Sequence, residues 1–181
     1  MSDRHKIFVS YHHALDESVK ESFEKRFGSV FQAIIPGSVN DGDIDPNLPT
    51  ETIRQRIRDE YLRDTSVTVV LIGAQTWQRK HIDWEIGSSI RQTRMNPRSG
   101  LLGIVLPSSP RSAPSKYNPR TIPPRLYDNI RCGFAVIYNW SDDGSTVQDW
   151  VHQAYLRKST KAPDNSRASF GKNRTGTEWS D

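Results

Sequence analysis

"SVTVVLIGAQTWQRKHIDWEIGSSI", residues 66–90, decides the fold. It opens on a Val/Ile/Leu run, interrupted only by Thr68, that ends at Gly73. Such a run suits a strand covered on both faces, whereas a half-exposed strand would alternate apolar and polar residues. Ile82, Ile86 and Ile90 then recur every fourth residue, the spacing of a helix with one apolar face. A buried strand that hands over to an amphipathic helix is the unit from which parallel α/β sheets are built.

The unit repeats on either side. Apolar runs stand at "KIFVSY" (6–11), "VFQAII" (30–35), "LLGIVLP" (101–107) and "GFAVIY" (133–138). Leu15, Val19, Phe23 and Phe27 predict a helix between the first two runs. Ile53, Ile57 and Leu62 predict another in "PTETIRQRIRDEYLRD" (49–64), with Thr50 as its N-cap after Pro49. The last, "STVQDWVHQAYL" (145–156), has Ser145 and Gln148 at capping-box spacing and buries Val147, Trp150 and Val151.

Alternating strands and helices predict an α/β domain with right-handed crossovers. The expected architecture is flavodoxin-like, a five-stranded parallel sheet in the order 2-1-3-4-5 with helices on both faces. The stretch 107–129 holds six of the eleven prolines and predicts a surface loop with at most a short helix near 124–130. The domain is expected to cover 1–157. The polar, aperiodic "KSTKAPDNSRASFGKNRTGTEWSD" (158–181) is expected to be a disordered tail.

Bulk properties narrow the function. The chain has 181 residues and one cysteine, Cys132, which excludes intramolecular disulfides and Cys-based zinc sites. No stretch approaches the about 20 apolar residues of a membrane span, and no signal-peptide core precedes the first strand. The expectation is a cytoplasmic protein. A net charge of +4 raises the question of nucleic acid. The basic residues are scattered, however, and Arg54, Arg56 and Arg58 mix with Glu51, Asp59 and Glu60, as on a solvated helix face. Nucleic acid is therefore not expected, while a basic surface suits an anionic small molecule.

In open α/β sheets ligands bind beyond the carboxyl ends of the strands, where the strand order reverses. Here that crevice lies between the first strand, ending in Ser10, Tyr11, His12 and His13, and the third, ending at Gly73. Stepping about 100° per residue from Ile82 puts Ile86 and Ile90 at about 40° and 80°, facing the sheet. Glu85 falls at about 300° on the border of that face, near His81, Ser88 and Ser89, with Trp84 directed elsewhere. Its carboxylate can reach the crevice; equally, a glutamate in a first helical turn is favoured by the helix dipole alone.

Several chemistries lack their residues. "VSYHHALDES" (9–18) has no glycine for a phosphate loop, and neither G-x-G-x-x-G, Walker A nor G-x-S-x-G occurs anywhere. The first and third strands end in "SYHH" and "LIGA", without the acidic residues of a phosphorelay receiver. "DGDIDPN" (41–47) begins like a calcium loop with Asp41, Asp43 and Asp45, but Pro46 and Thr52 stand where Gly and Glu are needed. No metal site is expected.

"KIFVSYHH" with the acidic helix after it resembles the start of a TIR domain, and the loop 36–49 falls where TIR domains carry a long loop. "DTSVTVVLIGAQTWQRKHIDWEI" (64–86) is similar to the TIR-like proteins of the Thoeris antiphage defence system. Element order agrees over about residues 6–157. His81 stands where many TIR domains place a tryptophan, four residues before the functional glutamate.

This resemblance implies NAD⁺ as substrate, no cofactor, and Glu85 as the catalytic carboxylate. It implies release of nicotinamide and cyclisation of ADP-ribose into a signal for a separate effector. Substrate contacts are expected from Ser10, Tyr11, His12, Trp77, His81 and Asp45, with Asp43 beside it, and Gly73 is expected to serve a sharp turn. Two alternatives stand beside this reading: a non-catalytic TIR module acting by self-assembly, and a ribosyl transferase using the same carboxylate on nucleosides or nucleotides.

Overall fold

The sheet is built outward from its most apolar strand. A computed structural model describes residues 3–37, 39–40, 42–113 and 115–181. In it β3 (Val67–Ile72) is buried at every position, flanked by β1 (Lys6–Ser10) and β4 (Gly100–Val105). β2 (Ala33–Ile35) pairs outside β1, and β7 (Ala135–Asn139) pairs outside β4, all parallel. The order β2-β1-β3-β4-β7 is the expected 2-1-3-4-5 pattern, because β5 (Arg111–Ala113) and β6 (Lys116–Tyr117) form a separate antiparallel pair.

Alternation across the pleat sends successive β3 residues into different cores. Val67, Val69 and Leu71 meet Phe23 and Phe27 of α1 (His13–Phe27) and Val147 and Val151 of α5 (Gly144–Thr160). Val70 and Ile72 meet Ile82 and Ile86 of α3 (Lys80–Ser89) and Leu126 of α4 (Pro124–Arg131). Phe8 of β1 packs in a third cluster with Trp84 and with Ile53 of α2 (Thr50–Arg56). Helices therefore cover both faces.

Local details depart from expectation where a competing group prevails. The second strand starts only at Ala33, because Gly28–Val30 forms a 3₁₀ turn. Pro49 rather than Thr50 occupies the cap position of α2, with no side-chain cap bond. Asp143, not Ser145, caps α5, its Oδ2 accepting the Thr146 N–H at 2.8 Å. The hydrogen bonds from Thr146 and Ser145 hold that carboxyl down to about 2. Residues 107–129 contain the β5–β6 hairpin, and α4 starts at Pro124, where a helix can dispense with an N–H.

Two larger corrections concern charge and the C-terminus. Arg54 and Arg58 do not sit on a solvated face; both are buried. Arg58 donates to the carbonyls of Leu62, Thr65 and Pro97 and to Ser99 Oγ, tying together two loops at the far end of the sheet. The tail, expected to be disordered, instead runs across the outer side of α3 and α4 after α5 ends at Thr160. Trp179 and Phe170 are each only 6% exposed. Arg167 forms an ion pair with Asp128 at 2.6 Å, and the Trp179 indole N–H donates to the Ile122 carbonyl at 2.7 Å. Two isolated aromatic anchors and many polar bonds hold this strap, so it has no apolar periodicity to find.

Candidate functional site

The carboxyl ends of β1 and β3 open onto a cleft of about 240 Å³. Tyr11, His13, Asn40, Arg79, His81 and Glu85 supply its polar walls, with Ala14, Val39 and Ile82 between them. A second cavity of about 300 Å³ adjoins it, sharing Tyr11, His13 and Asn40 and continuing toward Lys20 and Pro36. The cleft stands at the switch point between β1 and β3, as the topology requires.

Glu85 is 1% exposed. Its Oε2 accepts the Ser10 hydroxyl at 2.5 Å and its Oε1 accepts the Val39 backbone N–H at 2.9 Å. Burial pushes the carboxyl up to about 7, against the pull of these two hydrogen bonds. The side chain is thus poised between neutral and charged near neutral pH. Each carboxylate oxygen has spare acceptor capacity beyond its one protein donor.

The other expected residues divide into three groups. Ser10, Tyr11 and His81 are brought to Glu85 or to its cleft. Ser10 acts through Glu85, being itself fully buried. The Tyr11 ring stacks on His13 at 4.5 Å, and its hydroxyl donates to Glu17 Oε2 at 2.7 Å. Burial first, then Glu17, hold the Tyr11 phenol well above its usual range, so it stays protonated. His81 lines the cleft and packs edge-on against Trp84 at 5.3 Å.

His12 and Gly73 are structural neighbours of the site. The His12 carbonyl accepts the Asp16 N–H at 2.8 Å and starts α1. Its buried ring is pulled below the usual range by burial and then by Arg79, which favours the neutral form over a phosphate-binding cation. Gly73 has no positive φ; its reason is contact. A Cβ there would fall 2.3 Å from Asp16 Oδ2, closer than any side chain tolerates.

Trp77 and Asp45 stand apart from the cleft lining. Trp77 is buried in the 3₁₀ turn Thr76–Gln78 and faces the strap, lining a separate cavity of about 720 Å³ with Phe170 and Trp179. Asp45 is exposed and accepts the Asn47 N–H at 2.9 Å in an Asx turn. Asp43 Oδ2 accepts the Asn40 N–H at 2.8 Å and so fixes a cleft residue indirectly. Asp41 lies outside the described residues, among which no cluster of three metal-ligating side chains occurs.

Sequence reasoning missed the Val39 N–H, Asn40 and Arg79, which reach the cleft from loops and a turn. It also missed Asp16, a buried carboxyl that burial pushes upward while a hydrogen bond from Thr76 opposes the shift. Its fit against Gly73 has a measurable consequence. Gly73→Ala is expected to cost about 1–3 kcal/mol through overpacking, read from a denaturant midpoint. Adding Asp16→Ala is expected to recover part of the loss by clearing the contact.

A five-stranded parallel sheet in this order, with helices on both faces, is the α/β architecture of a TIR-like domain. The chain belongs to the family described as Thoeris protein ThsB, TIR-like domain, whose model matches residues 8–111. It is thus a TIR-type protein of the Thoeris defence system. The matched span starts within β1, includes β3, α3 and Glu85, and ends before α4. No curated protein matches the chain. Among the described residues no helix is long and apolar enough to cross a membrane.

Proposed function

We propose that the chain cleaves the bond between nicotinamide and ribose in NAD⁺, in the cytoplasm, and closes the ADP-ribose into a cyclic signal read by a separate effector. One observation carries the reading: the carboxylate of Glu85 is buried at a switch-point cleft, aligned by Ser10 and the Val39 N–H.

The chemistry asks for little more. As the C–N bond breaks, its electron pair leaves with nicotinamide, which becomes neutral and needs no strong acid. Positive charge grows on the ribose ring, as in glycoside hydrolysis. A carboxylate held beside the sugar stabilises that charge and accepts hydrogen bonds from the ribose hydroxyls. A nucleophile on the substrate's own adenosine half, or water, then bonds to the reacting carbon and releases a proton. Arg79, His13 and Asn40 suit the anionic diphosphate, and the adjoining cavity gives room for the adenosine end.

The titration of Glu85 gives the test. Stabilising a cation requires the ionised form, which is lost as pH falls through about 7. His13 of α1, Tyr11 just after β1, Arg79 just before α3 and His81 in its first turn line the same cleft as the carboxyl. With NAD⁺, nicotinamide release is expected to show kcat/KM rising about tenfold per pH unit below 7 and levelling above it. A flat profile from pH 5.5 to 8 would refute an ionised Glu85 as the working group.

A further inference from the structure

α3 has nine of its ten residues buried, which is unusual for a helix flanking a sheet, where one side normally meets water. α2 and α4 flank it, and its outer side is covered by the C-terminal strap, which lies beyond the residues matched by the family model. Its contacts concentrate on the side of α3 turned away from the cleft. Asp83 and Glu85 are two residues apart, about 200° around the helix, and so point in opposite directions. Glu85 faces the cleft, while Asp83 Oδ2 accepts the Phe170 N–H at 2.9 Å and Asp83 Oδ1 accepts Arg125 Nε–H at 2.9 Å.

The neighbouring residues repeat the grip. The Trp84 indole N–H donates to the Phe170 carbonyl at 2.8 Å, and Asn165 Nδ2–H donates to the Gly87 carbonyl at 2.9 Å. Arg125 links the two ends, donating to Asn165 Oδ1 at 2.8 Å as well as to Asp83. A side chain at Gly87 would come within 3.3 Å of Arg125 Nε, so the helix backbone itself lies against this network.

Resting on the reading of Glu85 as the catalytic group, we propose that the strap, through Asp83, Trp84 and Gly87, is a positioning element that fixes the rotation of α3 and so aims Glu85 into the cleft. A small rotation of the helix would carry the carboxylate away from Ser10 and Val39. Misplacement by about 1 Å is enough to cost about a hundredfold in rate. Asp83 is a positioning residue, since it reaches the substrate side only through the helix.

The test uses two conservative full-length variants, Trp84→Phe and Asn165→Ala, each removing strap bonds while keeping the buried Asp83–Arg125 pair. The first readout needs no turnover: carboxyl ¹³C titration of Glu85, assigned by its absence in Glu85→Gln. Loosening α3 weakens the Ser10 and Val39 bonds but also admits water, and burial is the larger cause of the raised midpoint, so the midpoint is expected to drop by at least about half a pH unit toward the ordinary carboxylate range. The second is kcat per folded molecule, expected to fall about tenfold with KM changing less than about threefold. An unchanged midpoint in both variants overturns the proposal, as does a moved midpoint with level kcat. Should the wild type leave NAD⁺ intact, the midpoint alone decides the positioning role, and only the proposed reaction falls.

Discussion

Glu85→Gln is expected to lower NAD⁺ turnover by at least about 10³-fold while making the folded protein more stable at pH 8. The two effects share one cause. Gln keeps the shape and can still accept the Val39 N–H, but it carries no charge to place beside the ribose. In the wild type, burial raises the Glu85 carboxyl from 4.5 to about 7, so ionising it opposes folding. The favourable contribution of the neutral acid is fully present below pH 4.5 and is lost as pH rises through about 7. That shift corresponds to at most about 3 kcal/mol above neutrality. Thermal unfolding of both proteins across pH is the check. The variant should lead by about 1–3 kcal/mol at pH 8, and the curves should converge below pH 5. Equal stability at pH 8 would mean that Glu85 is ionised without strain, as on an ordinary surface.

Arg125→Ala carries the largest expected loss of stability. Arg125 and Asp83 are almost wholly buried, with Nε 2.9 Å from Oδ1. Removing the guanidinium strands a carboxylate inside the protein, which costs about 3–5 kcal/mol. Replacing both with apolar residues, Asp83→Leu with Arg125→Met, removes the stranded charge. It still orphans the Phe170 N–H, so a residual loss of about 1–3 kcal/mol is expected. Urea midpoints of the single and double variants separate the two contributions. If the double change costs as much as Arg125→Ala, the stranded charge is not the source of the loss.

These two predictions also mark what a sequence can disclose. The five strands were legible as apolar runs rich in Val, Ile and Phe, although the second shrank to Ala33–Ile35, and their alternation with helices pointed to a parallel sheet. Glu85 was legible as a residue on the border of a buried helix face. Its full burial was not, because it depends on the path of the loop that brings the Val39 N–H to it; nor was that of Asp83 on the opposite side of α3, which is closed by residues about 80 positions further along the chain. Phe170 and Trp179 anchor that segment singly, within a run as polar as a disordered linker. Pairwise contacts of this kind leave no period to detect.

The site shows the same division. Ser10 and Glu85 were placed together by topology alone, and their 2.5 Å hydrogen bond fulfils that placement. Trp77 follows β3 closely, but the 3₁₀ turn directs it to the strap. Gly73 suggested a turn, yet its constraint is the Asp16 carboxyl lying where a Cβ would stand. Asn40 and the Val39 N–H come from a loop, whose path depends on bonds such as that to Asp43 rather than on propensity.

Glu85 is proposed to act on the ribose of NAD⁺. Mass spectrometry of the products tests it most directly, with wild-type and Glu85→Gln proteins incubated with NAD⁺, with and without lysate from phage-infected cells. Nicotinamide together with a product at the mass of a cyclic ADP-ribose is expected from the wild type, and neither from Glu85→Gln. Intact NAD⁺ under every condition, or equal turnover by the variant, would contradict it and favour a TIR module that works by assembly alone.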